Sequence, residues 1–174
     1  MRRGEALGLR HQDINREAGT ISVVQSIGRS LDKGIVVEHT KTIAGRSLLT
    51  WAKGTVNVLR GHIGRQLLAR MELHGIYQDH GLLFPGPLGK PLNPMTLTRC
   101  YQRYARQLGI AGPRLHDLRH FHATVMLQSG ASLLLVSRHL GHASVATTGD
   151  VYGHLMPGAQ KEAANNFAKI MQKG

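Results

Sequence analysis

Residues 114–124 read RLHDLRHFHAT. His116 and His120 stand four apart with Asp117 beside the first, close to the H-E-x-x-H pattern of zinc hydrolases. Arg119 breaks that likeness, because a guanidinium beside a dication adds repulsion. At 100° per residue, a helix here gathers His116, Arg119, His120 and Ala123 on one edge. Leu118, Phe121, His122 and Val125 fall roughly opposite, with Met126 between. That division predicts a cationic edge turned away from an apolar edge in the core, which suits an anion. A metal would need a third ligand and an acid long enough to reach its water. Asp117 is a methylene shorter than glutamate, and the sole cysteine, Cys100, offers no thiolate cluster. Taken alone, H-x-x-R is equally consistent with a satisfied histidine and a surface arginine.

The flanking sequence divides into a β-rich start and a helical remainder. Residues 3–9 read as a short helix and 11–19 as a connection. The stretches TISVVQSI (20–27), GIVVEHT (34–40) and SLLTW (47–51) are β-branched and alternating. With turns at 30–34 and 42–45 they predict three antiparallel strands in a meander. From Lys53 to Gly75, Val56, Leu59, Ile63, Leu67, Leu68 and Met71 recur at a helical period. The Pro/Gly-rich stretch 81–94 predicts a surface loop with a brief strand at 82–84. Asn93 then caps a helix that has Pro94 in its first turn and runs to about Leu108. Helices follow at 115–129, 132–140, 144–154 and 158–171. Trp51 and Phe121 are expected in the core. The fold class is α+β, mainly α, with a small three-stranded antiparallel sheet near the N-terminus.

The chain has 174 residues, enough for one domain. Its 22 Lys and Arg against 10 Asp and Glu leave a formal charge of +12, which favours a polyanionic partner. One cysteine excludes an internal disulfide framework. The apolar runs are too short to span a membrane, and MRRGEALGLR has no apolar signal core, so a cytoplasmic location is expected.

Beyond the opening stretch come LGH at 140–142 and then Tyr152, ten residues on, in HASVATTGDVYGH. HDLRHFHAT followed by LGHASVATTGDVYGHL resembles the C-terminal catalytic motifs of the tyrosine recombinases, the phage-integrase family. MRRGEALGLRHQDIN is similar to that family's first arginine box: an arginine, a glutamate three residues later, a Leu-x-Leu run and Asp-Ile. EHTKTIAGRSLLT resembles its β-hairpin, with a lysine before the turn and an arginine after it. The resemblance runs nearly the length of the chain and implies a helical recombinase catalytic domain over 1–174. It also implies that the N-terminal DNA-clamping domain and the first catalytic-domain helices are missing, so that Arg2 would fray and activity of this chain alone would be weak.

The resemblance assigns catalysis to Arg2, Lys41, His116, Arg119, His142 and Tyr152. In that reading the arginines brace the phosphate, His116 assists proton transfer from Tyr152, and His142 donates a hydrogen bond to the phosphate. Lys41 protonates the departing 5′ oxygen, and Tyr152 attacks. No metal or other cofactor is implied. The implied partner is double-stranded DNA, with a homotetramer on DNA for the full-length protein and a monomer when free. His120, His122, His139 and His154 are left as structural or phosphate-facing extras. Gly149, where the family carries a larger side chain, is expected to loosen the tyrosine segment. In the last segment Ala159, Ala163, Phe167, Ile170 and Met171 form an amphipathic stripe, for a neighbouring subunit or for its own domain. The alternatives are a non-catalytic DNA-binding remnant, a type IB topoisomerase and the zinc hydrolase.

Overall fold

The computed structural model describes residues 1–39, 47–51, 53–110, 112–142 and 144–152, without the side chains of 47, 48 and 53. Lys41, the turn at 42–45, His154 and the segment at 158–171 lie outside the described residues.

Helix α1 (Arg3–Gly8) begins at a capping box, in which the backbone N–H of Arg2 donates to Glu5 Oε2. It lies against an extended strand, Gln25–Ser30, at a distance that only glycine permits. A Cβ on Gly4 would fall 2.7 Å from the carbonyl oxygen of Ile27, and one on Gly8 would fall 2.7 Å from that of Gln25. The Gln25 side chain fastens this contact by donating Nε2–H to the Gly8 carbonyl at 2.8 Å. Leu7 and Leu9 turn inward, the first beside Ile27 and Leu82, the second beside Ile21, Val23, Leu49, Leu59 and Leu83.

The strands are β1 (Ile14–Asn15), β2 (Thr20–Val23), β3 (Gln25–Ser30), β4 (Gly34–His39) and β5 (Ser47–Thr50). They form not one meander but a three-stranded antiparallel sheet, β1-β2-β5, and a separate antiparallel ribbon, β3-β4. The inward alternation Ile21, Val23, Gln25, Ile27 runs unbroken through the expected strand. Its two halves serve different cores, however, so the segment divides at Val24. The expected connection at 11–19 also contributes a 3-10 turn and β1. There Asp13 accepts from Arg10 Nε at 3.0 Å and from Nη2 at 2.8 Å.

Helix α2 (Lys53–Glu72) buries only the first part of the expected apolar set. Leu59 is buried and Ile63 half-buried, while Leu67, Leu68 and Met71 are exposed. Two polar anchors set the rotation: His62 Nε2 lies 2.7 Å from the Leu83 carbonyl, and Gln66 Nε2 donates to Leu82 at 2.9 Å. Leu82 and Leu83 are buried, and Leu83 N–H donates to the Leu9 carbonyl, so this part of the expected surface loop is core.

Helices α3 (Pro94–Gln107), α4 (Asp117–Gln128), α5 (Leu133–Leu140) and α6 (Val145–Tyr152) complete the fold. Asn93 caps α3 through Met95 N–H at 3.0 Å, and Ser132 caps α5 through Leu135 N–H at 3.2 Å. Ala123, Leu127, Val136, Leu140 and Tyr152 form the core of α4, α5 and α6. The α4 edges are therefore reversed from the expectation. Phe121 is 69% exposed and Leu118 and Val125 are exposed too, whereas Arg119, Ala123 and Leu127 are buried. Trp51 is half-buried against the first cluster, as expected. Gly149 lies within continuous helix, and a Cβ there would make an ordinary 3.6 Å contact with Leu133.

The close approach of α1 to β3 gives a direct test. Gly8→Ala drives a methyl into backbone and should cost about 1–3 kcal/mol by overpacking. Urea unfolding should show a lower midpoint with an unchanged slope; an unchanged midpoint would mean that α1 is not pressed on β3.

Candidate active site

The turn before α4 is built by Asp117. Its Oδ2 accepts from Arg114 N–H at 2.7 Å, and its carboxylate meets the Arg114 guanidinium at 3.3 Å. The backbone N–H and then the Arg114 side chain hold the Asp117 carboxyl below its ordinary range. The acid that imitates a metalloprotease glutamate thus closes a turn. It leaves His116 as the N-cap residue, with Arg119 N–H donating to the His116 carbonyl at 3.0 Å.

Arg119 is 9% exposed. Its Nη2 donates to the carbonyl of Leu140, the last residue of α5, where the helix leaves carbonyls unpaired and partially negative. Its Nη1 is buried with no hydrogen-bond partner among the described residues. Burial first, and then the neighbouring Arg2, lower the Arg119 pKa, with Glu5 opposing. A desolvated cation holding one free donor is an anion-binding arrangement, because a buried donor without a partner is costly.

Directly after Leu140, Gly141 takes the left-handed conformation at φ 67° and turns the chain. His142 N–H then donates to the Ser137 carbonyl at 3.1 Å, while its Nδ1 lies 2.7 Å from Oγ1 of the buried Thr148. One helix end therefore positions both Arg119 and His142.

Tyr152 is 4% exposed, with its ring in the α4-α5-α6 core. Its Oη lies 2.6 Å from His120 Nδ1. Burial pushes the phenol pKa up, and the positive charge of Arg119 partly opposes it. His116 meets His120 edge to face, with ring centroids 4.9 Å apart and planes at 80°. The two histidines of the apparent zinc pattern thus stack at right angles, and one of them is engaged by the tyrosine.

Arg2, His116 and Arg119 line one open cleft of about 750 Å³ between α1, α3 and α4. Arg2 is joined to α1 at two points: its carbonyl accepts from Ala6 N–H at 3.0 Å, and its guanidinium pairs with Glu5 at 3.0 Å. His142 and Tyr152 both lie within the electrostatic reach of Arg119. Five of the six expected residues therefore gather around one guanidinium, and the sixth, Lys41, lies outside the described residues. Sequence reasoning missed His120, Thr148 and the Leu140 carbonyl. His120 carried a signal, since it shares the helix edge of His116 and Arg119.

The phage integrase family profile matches residues 1–158. The chain belongs to the phage integrase family. It is 30% identical to the ICEBs1 integrase of Bacillus subtilis over 171 residues, which cover 98% of this chain and 46% of that protein. It is 25% identical to a tyrosine recombinase XerC-like protein of Caldanaerobacter subterraneus, over 96% of this chain and 46% of the relative. This integrase-family chain thus spans about half the length of these relatives. Among solved structures, the XerA recombinase is similar with a TM-score of 0.67 at 26% identity, over 95% of this chain and 53% of that one. The fold of the Tn1549 transposon integrase, solved with circular intermediate DNA, matches at a TM-score of 0.77 and 18% identity, over 96% and 56%. The mainly helical α+β expectation stands.

Three partly desolvated imidazoles give this integrase-family domain a pH signature. His116, His139 and His142 all have lowered pKa values, with burial as the first cause of each. The second cause is His120 for His116, His122 for His139 and Arg119 for His142. Below an ordinary imidazole pKa of about 6.5 the unfolded chain takes up protons that the folded chain resists. Their contribution is therefore complete above that value and declines as pH falls toward the folded values. Urea midpoints taken from about pH 7.5 down to about 5.5 should decrease; a flat profile would contradict the partial desolvation of these rings.

Proposed function

We propose that residues 1–174 are the catalytic domain of a site-specific DNA recombinase, which cleaves one strand of double-stranded DNA through Tyr152. The observation that carries this reading is the buried Arg119, with Nη2 fixed on Leu140 and Nη1 unpaired, in one electrostatic neighbourhood with a buried tyrosine. A phenol of pKa near 10 attacks a phosphodiester only when its proton is removed and the phosphate charge is neutralised.

In this reading Tyr152 Oη attacks the phosphorus and displaces the 5′ oxygen, leaving a covalent 3′-phosphotyrosine. Arg119 Nη1 and the Arg2 guanidinium brace the non-bridging oxygens as negative charge builds. His142, held by Thr148 through Nδ1, presents its other ring nitrogen to the same phosphate. Lys41 supplies the proton for the 5′ oxygen. The tyrosyl ester conserves the bond energy, so a 5′-hydroxyl from another duplex attacks it and exchanges strands. No metal or nucleotide cofactor takes part in this scheme. For the whole protein, strand exchange between two duplexes calls for a homotetramer on DNA, in the cytoplasm where the genome lies. The net charge of +12 supplies non-specific attraction to the phosphates.

A nicked suicide duplex tests the proposal. The expected result is a covalent protein–DNA adduct that is absent in Tyr152→Phe and forms about 100-fold more slowly in Arg119→Ala. Binding should weaken with salt, log K falling about 0.9 per phosphate neutralised for each decade of salt. Salt-sensitive binding without an adduct would instead mark a non-catalytic DNA-binding domain.

A further inference from the structure

The cleavage reading requires that the Tyr152 proton go somewhere, and the sequence nominates His116. The geometry points elsewhere. His120 Nδ1 lies 2.6 Å from Tyr152 Oη, so oxygen and nitrogen already share a hydrogen bond. His116 approaches His120 edge to face and lines the cleft beside Arg2 and Arg119. Among the described residues the hydrogen-bonded imidazole at the phenol is thus His120. The Tyr152 ring is buried in one cluster with Ala123, Leu127, Val136 and Leu140.

We propose that His120 is the base that takes the Tyr152 proton, a catalytic role resting on the strand-cleaving reading above, and that His116 serves the phosphate cleft. At rest the phenol donates to His120 Nδ1, whose ring is neutral with its proton on Nε2. In the cleavage step the Oη–H bond breaks as Nδ1–H forms, while Oη–P forms as P–O5′ breaks. The departing 5′ oxygen takes its proton from Lys41. On rejoining, the incoming 5′-hydroxyl yields its proton to Lys41, Oη leaves phosphorus, and His120 returns the proton to it. Burial keeps the phenol protonated at neutral pH, so that without a base little phenolate is present. The charged and titratable groups that the structure couples to His120 are Tyr152, His116 and Asp117, with His142 after α5, and Arg119 precedes it in α4. All of them remain in place in a His120 variant.

The test is the single-turnover rate of adduct formation on a nicked suicide duplex, measured against pH for the unaltered chain, His120→Asn and His116→Asn. Asparagine offers a polar atom where Nδ1 stood and restores a hydrogen bond, but it accepts no proton. The expected His120→Asn rate at neutral pH is about 100-fold lower or worse. It should recover about tenfold per pH unit as the phenol ionises unaided, with DNA affinity within about twofold. His116→Asn should slow the reaction while keeping the original pH profile. A normal His120→Asn rate, or a loss of the same factor at every pH, would overturn the assignment. If the unaltered chain forms no adduct, the cleavage reading itself fails, and ring ¹⁵N NMR judges His120 independently. Its Nδ1 should be unprotonated at rest and should shift in Tyr152→Phe; a protonated Nδ1 would overturn the proposal.

Discussion

The hydrogen bond from Arg119 Nη2 to the Leu140 carbonyl joins the two halves of the site. It fixes a buried guanidinium from the first turn of α4 against the last residue of α5. Everything else about the site is arranged around that point. Beyond Leu140 the left-handed Gly141 delivers His142, and α6 returns Tyr152 to the same core. A desolvated cation with one satisfied and one unpaired donor gains most from an anion placed beside it. The fold therefore accepts an unfavourable buried charge where a phosphate would neutralise it.

The N-terminal half supplies the second guanidinium by a different device. Arg2 is exposed, so its placement depends on the backbone that carries it and on its ion pair with Glu5. Gly4 and Gly8 let α1 touch β3 through main-chain atoms, and the Glu5 capping box holds the first turn. Burial first, and then repulsion from Arg2 across the cleft, lower the Arg119 pKa. Two rigid elements hold like charges together in advance, which is the preorganisation that an electrostatic catalyst needs.

Much of this was legible in the residues themselves. The cap at Asn93 follows from local chemistry and appears as expected. Three of the four ordered motifs pointed to Arg2, His116, Arg119, His142 and Tyr152. The orientation of α4 was not legible, because a helical wheel assigns the core to the apolar edge. Here the buried edge carries Arg119, with His120 half-buried beside it, while Phe121 lies in solvent. Tertiary demand for a desolvated site overrode the hydrophobic pattern. The division of the β segment at Val24 was hidden for a related reason, since alternation reports which residues face inward but not which partner they meet. The anchors His62 and Gln66 turn α2 by bonding to main-chain carbonyls of a distant loop, a contact that no local pattern reveals.

The central claim is that Arg119 Nη1 waits for a phosphate. A crystal structure of the Tyr152→Phe chain on duplex DNA addresses it most directly. The expected result keeps Nη2 on the Leu140 carbonyl and brings Nη1 to about 2.9 Å from a non-bridging oxygen, the usual charge-assisted distance. An Arg119 that stays buried with Nη1 away from any phosphate, while other side chains hold the DNA, would contradict the account.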